Sequence, residues 1–243
     1  MRPTSFLIPA YNEEVYIGRA VLSVHGAAAA CGLSGYEVIV CDNASTDRTA
    51  VLAREAGAQV VDEPHRQIAR ARNAAADAST GDWLVWLDAD AMLTPEVLAA
   101  TLEALAGGKV CGGGALVELE GVPLTWTTRA TIAAWNWVAR TFHFAAGSYF
   151  FAQREGWAAT GGFNERVYAG EELGFARELK RWGRERKLDF AVILRAVPSS
   201  ARKVGQFTTW EAIRLLAVCA WPGNRGRRDR CAFWYERPPE VEG

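Results

Sequence analysis

A chain of 243 residues that is 50% hydrophobic can bury a substantial core as one domain, which excludes disorder as a description of the whole. Its formal net charge of -1 excludes a general nucleic-acid binder, because affinity for a phosphate backbone needs an excess of Lys and Arg. Cys31, Cys41, Cys111, Cys219 and Cys231 are odd in number, widely spaced and lack a CxxC pair, so neither a disulfide framework nor a zinc site is expected, and the setting reads as reducing and cytoplasmic.

The opening MRPTSFLIPAYNEE reaches Pro9 and two carboxylates too early for a secretory signal, and no stretch approaches the roughly 18 apolar residues of a membrane span. Short apolar runs then alternate with helical patterns, the signature of βαβ units and a parallel sheet. Ser5 to Pro9 is the first expected strand and Val15 to Ala30 the first helix. Tyr36 to Asp42 (YEVIVCD) is apolar enough to be buried on both faces. Ser45 is expected to cap the next helix, with Asp47 in its first turn and Gly57 as its stop.

A third strand at Gln59 to Asp62 precedes a helix from Ile68 to Ser79 and a buried strand, Trp83 to Asp88 (WLVWLD). Thr94 before Pro95 marks another helix start. Lys109 to Glu120 is strand-like and glycine-rich, and Leu124 to Arg140 is helical with Trp126, Trp135 and Trp137. Gly147 to Gly170 reads as turn-rich, followed by a helix from about Glu171 to Trp182, a strand near Phe190 to Val197 and an amphipathic helix, Thr208 to Ala220. Residues 1–204 are thus expected to form one α/β domain, with 205–243 a C-terminal helix and basic tail.

Asp42 and Asp88 each end an apolar strand, and Asp90 follows two residues later. In open α/β sheets ligands bind outside those strand ends, so the three carboxylates can face one crevice. The Asp88-Ala89-Asp90 turn suits Mg²⁺, which takes one or two carboxylates together with substrate phosphates; aspartates also simply cap turns. The turn after the first strand holds PAYNEE and not G-x-G-x-x-G, and no P-loop is present, which disfavours a nucleotide-binding oxidoreductase and a P-loop enzyme.

Four blocks in order resemble the family 2 glycosyltransferases of the GT-A fold, over roughly residues 4–200: IPAYNEE at Ile8 to Glu14, VCDNASTDRT at Val40 to Thr49, ARNAAADASTGDWLVWLDAD at Ala71 to Asp90, and GGFNERVYAGEELGFARELKRWG at Gly161 to Gly183. The resemblance implies a mostly parallel central sheet flanked by helices, with a nucleotide-binding part about 1–110 and an acceptor part about 111–204, and an enzyme that moves a sugar from a nucleotide-diphosphate donor to an acceptor hydroxyl using Mg²⁺ or Mn²⁺. It assigns Pro9, Ala10, Tyr11 and Glu13 to base and ribose, Asp42 to the nucleobase, and Arg72 to the segment covering the nucleotide. It further implies Asp88 near the ribose, Asp90 as metal ligand with Ala89 between them, and a base from the pair Glu171-Glu172 that follows Gly161-Gly162-Phe163 and Gly170. The commoner pair is Glu-Asp, so Glu172 aligns with the usual base but is one methylene longer, and the choice between the two stays open. Backside attack with one base implies inversion.

Some relatives add a late histidine ligand, whereas His25, His65 and His143 all precede the glutamate pair. The acceptor, whether glycan, lipid-linked or small molecule, is unassigned; Trp126, Trp135, Trp137, Phe142, Tyr149 and Phe150 fit a groove or an ordinary core equally. Arg202, Lys203, Arg225, Arg227, Arg228 and Arg230 make the C-terminal part basic, which suits an anionic membrane surface but is first of all a solvated charge run. Two rivals remain: a binding module that keeps the fold without turnover, and a sugar-phosphate nucleotidyltransferase, whose Gly-rich, Arg-containing opening is missing.

Overall fold

The first strand, Thr4–Ala10 (β1), turns Phe6 and Ile8 to one face of a sheet and Leu7 to the other, and all three are fully buried. This double burial is what a continuous apolar run dictates when helices cover both faces. The computed structural model describes residues 2–120 and 147–202, positions 126, 129, 130, 133, 136, 137, 140 and 141, and residues 225–231 and 235.

In chain order β1 is followed by α1 (Ile17–Ala30), β2 (Tyr36–Asp42), α2 (Thr49–Glu55), β3 (Gln59–Asp62), α3 (Ile68–Asp77), β4 (Trp83–Leu87), α4 (Pro95–Ala106) and β5 (Val110–Glu120). Next come β6 (Tyr149–Gln153), α5 (Arg154–Thr160), α6 (Glu171–Glu185) and β7 (Asp189–Ser200). Seven strands form one sheet in the order β3-β2-β1-β4-β6-β5-β7. β6 alone runs antiparallel to its neighbours, so the sheet is mostly parallel, as expected.

Residues from α1, α2 and α4 pack against Phe6, Ile8, Val38 and Val40 on one face. α3 and α6 pack against Leu7, Ile39, Leu84 and Trp86 on the other. There Trp86 meets Phe163 edge-on at 5.2 Å and Phe175 at 5.9 Å, and Phe163 lies 4.5 Å from Phe175. Burying each such ring contributes on the order of 1.5–3 kcal/mol, and the cluster forms a rigid floor beneath the site described below.

Two expectations are corrected. Ser45 does not cap α2, which begins four residues later at Thr49. The Ser45 hydroxyl instead accepts from the Asn12 N–H at 2.9 Å, while Asp47 Oδ1 accepts from the Thr49 N–H at 2.9 Å and serves the helix start. The segment Gly147 to Gly170 is not merely turns, since it holds β6 and α5. Its apolar YFFA was the missed strand signal, hidden by the surrounding glycines. Thr94 does cap α4, accepting from the Val97 N–H at 3.3 Å.

Of the expected helix from Leu124 to Arg140 only some positions are described, among them Trp126 and Trp137, both exposed. Trp135, Phe142, His143, Lys203, Cys219 and the expected helix Thr208 to Ala220 lie outside the described residues. So does most of 205–243. Among the described residues no helix is long and apolar enough to cross a membrane.

Candidate active site

Because β1, β2 and β4 are parallel neighbours, their carboxyl ends share one rim. Ala10 stands opposite Asp42 in register, and the Asn43 N–H donates to the Ala10 carbonyl at 2.8 Å. The loops beyond them are stitched together: Asn12 Oδ1 accepts from the Thr46 N–H at 2.8 Å, and Asp42 Oδ1 accepts from the Ser45 N–H at 3.1 Å. Pro9 is half-buried, Ala10 buried, and the Tyr11 ring carries the Arg66 guanidinium 3.6 Å above it. Asn43 donates to the carbonyls of Glu63 and His65 and accepts from the Gln67 N–H, tying this rim to the loop after β3.

The turn after β4 is fixed on both sides. The Asp88 N–H donates to Ser148 O at 3.0 Å, Ala89 is buried, and Asp90 O accepts from the Ser200 N–H of β7 at 3.0 Å. The Asp90 side chain is only 9% exposed and faces the Arg202 guanidinium, whose Nη2 lies 3.6 Å from Oδ2. The same Nη2 donates to Glu13 at 2.5 and 2.6 Å. Arg202 was expected in a solvated charge run, but β7 extends far enough past Phe190 to carry it onto these two acids, which correct that expectation.

A second cluster joins the turn to α6. Arg72 of α3, its side chain 5% exposed, donates to Glu171 at 2.7 Å, to Asp88 at 3.2 Å and to Gly147 O at 2.9 Å. Burial works against its charge, but the Glu171 and Asp88 carboxylates outweigh this and raise its pKa. Glu172, half-buried beside Glu171, has its carboxyl pushed up to about 7, first by burial and then by the Glu171 charge. Gly147 is a close-approach position: a Cβ there would lie 3.3 Å from Arg72 Nη2 and 3.8 Å from the Glu172 carboxyl carbon.

Asn73, next to Arg72, was not singled out by sequence. Its Oδ1 accepts from the Phe163 N–H at 2.9 Å and its Nδ2 donates to Phe163 O at 2.9 Å, so it clamps the turn leading to the glutamate pair. Gly162 permits this, with φ of 70° and a Cβ position only 2.5 Å from Asn73 Oδ1. Nothing local marks Asn73: it and Arg72 hold the two ends of one distant segment, at Phe163 and at Glu171.

Among the described residues no three His, Cys, Asp or Glu side chains gather into a closed metal cage. Asp90 and Asp88 at the turn still fit a hard cation that keeps waters and substrate oxygens in its shell, as Mg²⁺ does, and two carboxylates are the number such sites use. His25 and His65 are engaged elsewhere, His25 Nδ1 with the Tyr36 hydroxyl at 2.8 Å and His65 Nε2 with the Tyr168 hydroxyl at 3.4 Å.

A family model described as Glycosyl transferase family 2 matches residues 5–158. An uncharacterized glycosyltransferase of Mycobacterium tuberculosis is 29% identical over 137 residues, which are 56% of this chain and 59% of that protein, so the chain spans little more than half of its relative. Mannosyltransferase PcManGT from Pyrobaculum calidifontis, solved with GDP-Man and Mn²⁺, superposes with a TM-score of 0.65 at 21% identity, over 89% of this chain and 61% of that one. Glucosyl-3-phosphoglycerate synthase from Mycobacterium tuberculosis, solved with Mn²⁺, UDP-Glc and phosphoglyceric acid, has a TM-score of 0.65 at 21% identity, covering 95% of this chain and 80% of that one. At such identities these two structures speak to the fold.

Proposed function

Because the chain belongs to glycosyl transferase family 2, we propose that it moves a sugar from a nucleotide-diphosphate donor to an acceptor hydroxyl with inversion at the anomeric carbon. The carrying observation is the Arg72 bridge, which holds Asp88 of the β4 turn and Glu171 of α6 on one guanidinium and so joins the donor end of the site to the base end.

Pro9, Ala10 and Tyr11 with Asp42 line the rim that would receive nucleobase and ribose, and Glu13 lies deeper, on Arg202. Asp90, with Asp88 beside it, would hold Mg²⁺ or Mn²⁺. When bound, that ion would supply positive charge for the oxygens of the leaving nucleoside diphosphate. Glu171 is held by Arg72 and orients the arginine. Glu172 is the general base: it lies next to that ion pair, and a carboxyl pushed up to about 7 can accept the acceptor hydroxyl proton near neutral pH. Such an arrangement favours Glu172 over Glu171, the choice that sequence left open.

Two variants test this. Asp90→Ala should lose Mn²⁺-dependent donor hydrolysis, whereas Glu172→Gln should keep donor binding and lose transfer by about 10²–10⁴-fold. Unchanged hydrolysis in the first would remove the metal assignment, and full transfer in the second would remove the base. Donor binding with neither hydrolysis nor transfer in the unaltered chain would favour a binding module.

A further inference from the structure

The Arg202 cluster is built more tightly than a charge run requires. Glu13 is fixed at its backbone by three bonds: its N–H donates to the Thr49 hydroxyl at 2.7 Å, and its carbonyl accepts from the Tyr16 and Ile17 N–H groups at 2.9 and 2.8 Å. Asp90 is fixed by its carbonyl bond to the Ser200 N–H of β7, the strand that also leads into Arg202. Between these carboxylates, both 9% exposed, the guanidinium sits against Glu13 and 3.6 Å from Asp90 Oδ2, and it lies 4.8 Å from the centre of the Tyr16 ring.

We infer that Arg202 holds the place of the divalent cation at Asp90 while the donor is absent, and so makes metal binding depend on the nucleotide. The inference rests on the proposed role of Asp90. An arginine cannot lose its proton in this range, so it yields a carboxylate only by moving away. A cation arriving alone meets a unit positive charge within contact distance of Asp90, the more buried of its two carboxylates, in a region where charges are weakly screened. A nucleoside diphosphate changes this balance, because its oxygens offer the guanidinium a bidentate partner and bring ligands for the metal at the same time. Metal and nucleotide therefore enter together, and Arg202 is a positioning residue for both.

The test is Mn²⁺ binding to the full chain, read from the loss of the free-ion electron paramagnetic resonance signal and by calorimetry. Without nucleotide, Arg202→Gln should bind one Mn²⁺ at least about tenfold more tightly than the unaltered chain. Adding Asp90→Asn to it should abolish the gain, and Arg202→Lys, which keeps the charge, should behave as the unaltered chain. Equal or weaker Mn²⁺ binding by Arg202→Gln, or a gain that survives Asp90→Asn, overturns the inference. A parallel titration with UDP or GDP present separates the two levels. If Mn²⁺ uptake by the unaltered chain then depends on Asp90 while Arg202→Gln showed no gain alone, the gating role falls and the metal site stands. If Asp90→Asn leaves uptake unchanged with nucleotide, both fall.

Discussion

Two arginines bridge the β4 turn to a glutamate, and they differ in everything else that holds them. Arg72 reaches Asp88, Glu171 and a backbone carbonyl from the middle of a helix, above an aromatic floor, with its side chain 5% exposed. Arg202 reaches Asp90 and Glu13 from the end of a strand, with its side chain 21% exposed. A buried, multiply bonded arginine fixes a geometry, whereas a rim arginine on carboxylates can exchange them for another anion. The same ion-pair chemistry thus serves as a strut on one side of the Asp88–Asp90 turn and as a displaceable counter-ion on the other.

The largest stability effect should come from breaking the strut. Arg72→Met leaves Glu171 buried without its partner and should cost about 3–5 kcal/mol in denaturant unfolding. A loss below about 1 kcal/mol would mean that the pair contributes little and that the contrast with Arg202 is false. Asn73→Ala comes next, because it strips both backbone partners from Phe163, at a cost of about 1–3 kcal/mol. It should also reduce transfer more than donor binding, since it loosens the segment that carries Glu172 and not the rim at Ala10 and Asp42. Equal losses in both would mean that Asn73 supports the domain as a whole. Arg202→Gln should cost less than Arg72→Met, because its side chain is the more exposed of the two at 21%, and Mn²⁺ should raise its melting temperature where it cannot rescue Arg72→Met.

The sequence made the rim legible because it is written in contiguous strings: YEVIVCD and WLVWLD place their aspartates at strand ends with no help from distant residues. Residues that act across the chain were harder. Arg202 lies 189 positions from Glu13, and only β7 running alongside β5 and bonding to the β4 turn brings them together. Nothing local distinguishes it from Arg227, which pairs with its neighbour Asp229 on the surface. Asn73 escaped notice for the same reason, since its partners lie 90 residues on. The Arg72–Glu171 pair was equally hidden, as two adjacent acids at a helix start look alike until one of them meets Arg72.

The pH dependence of kcat/KM for sugar transfer tests the role of Glu172 most directly. Burial and the Glu171 charge raise its carboxyl from the ordinary glutamate range, so the base form is lost as pH falls below about 7. The rate should fall about tenfold per pH unit on that acidic limb, and the residual activity of Glu172→Gln should lack the limb. A profile that is flat from about pH 5.5 to 8 in the unaltered chain, or a Glu172→Gln variant that keeps both limb and rate, would contradict it.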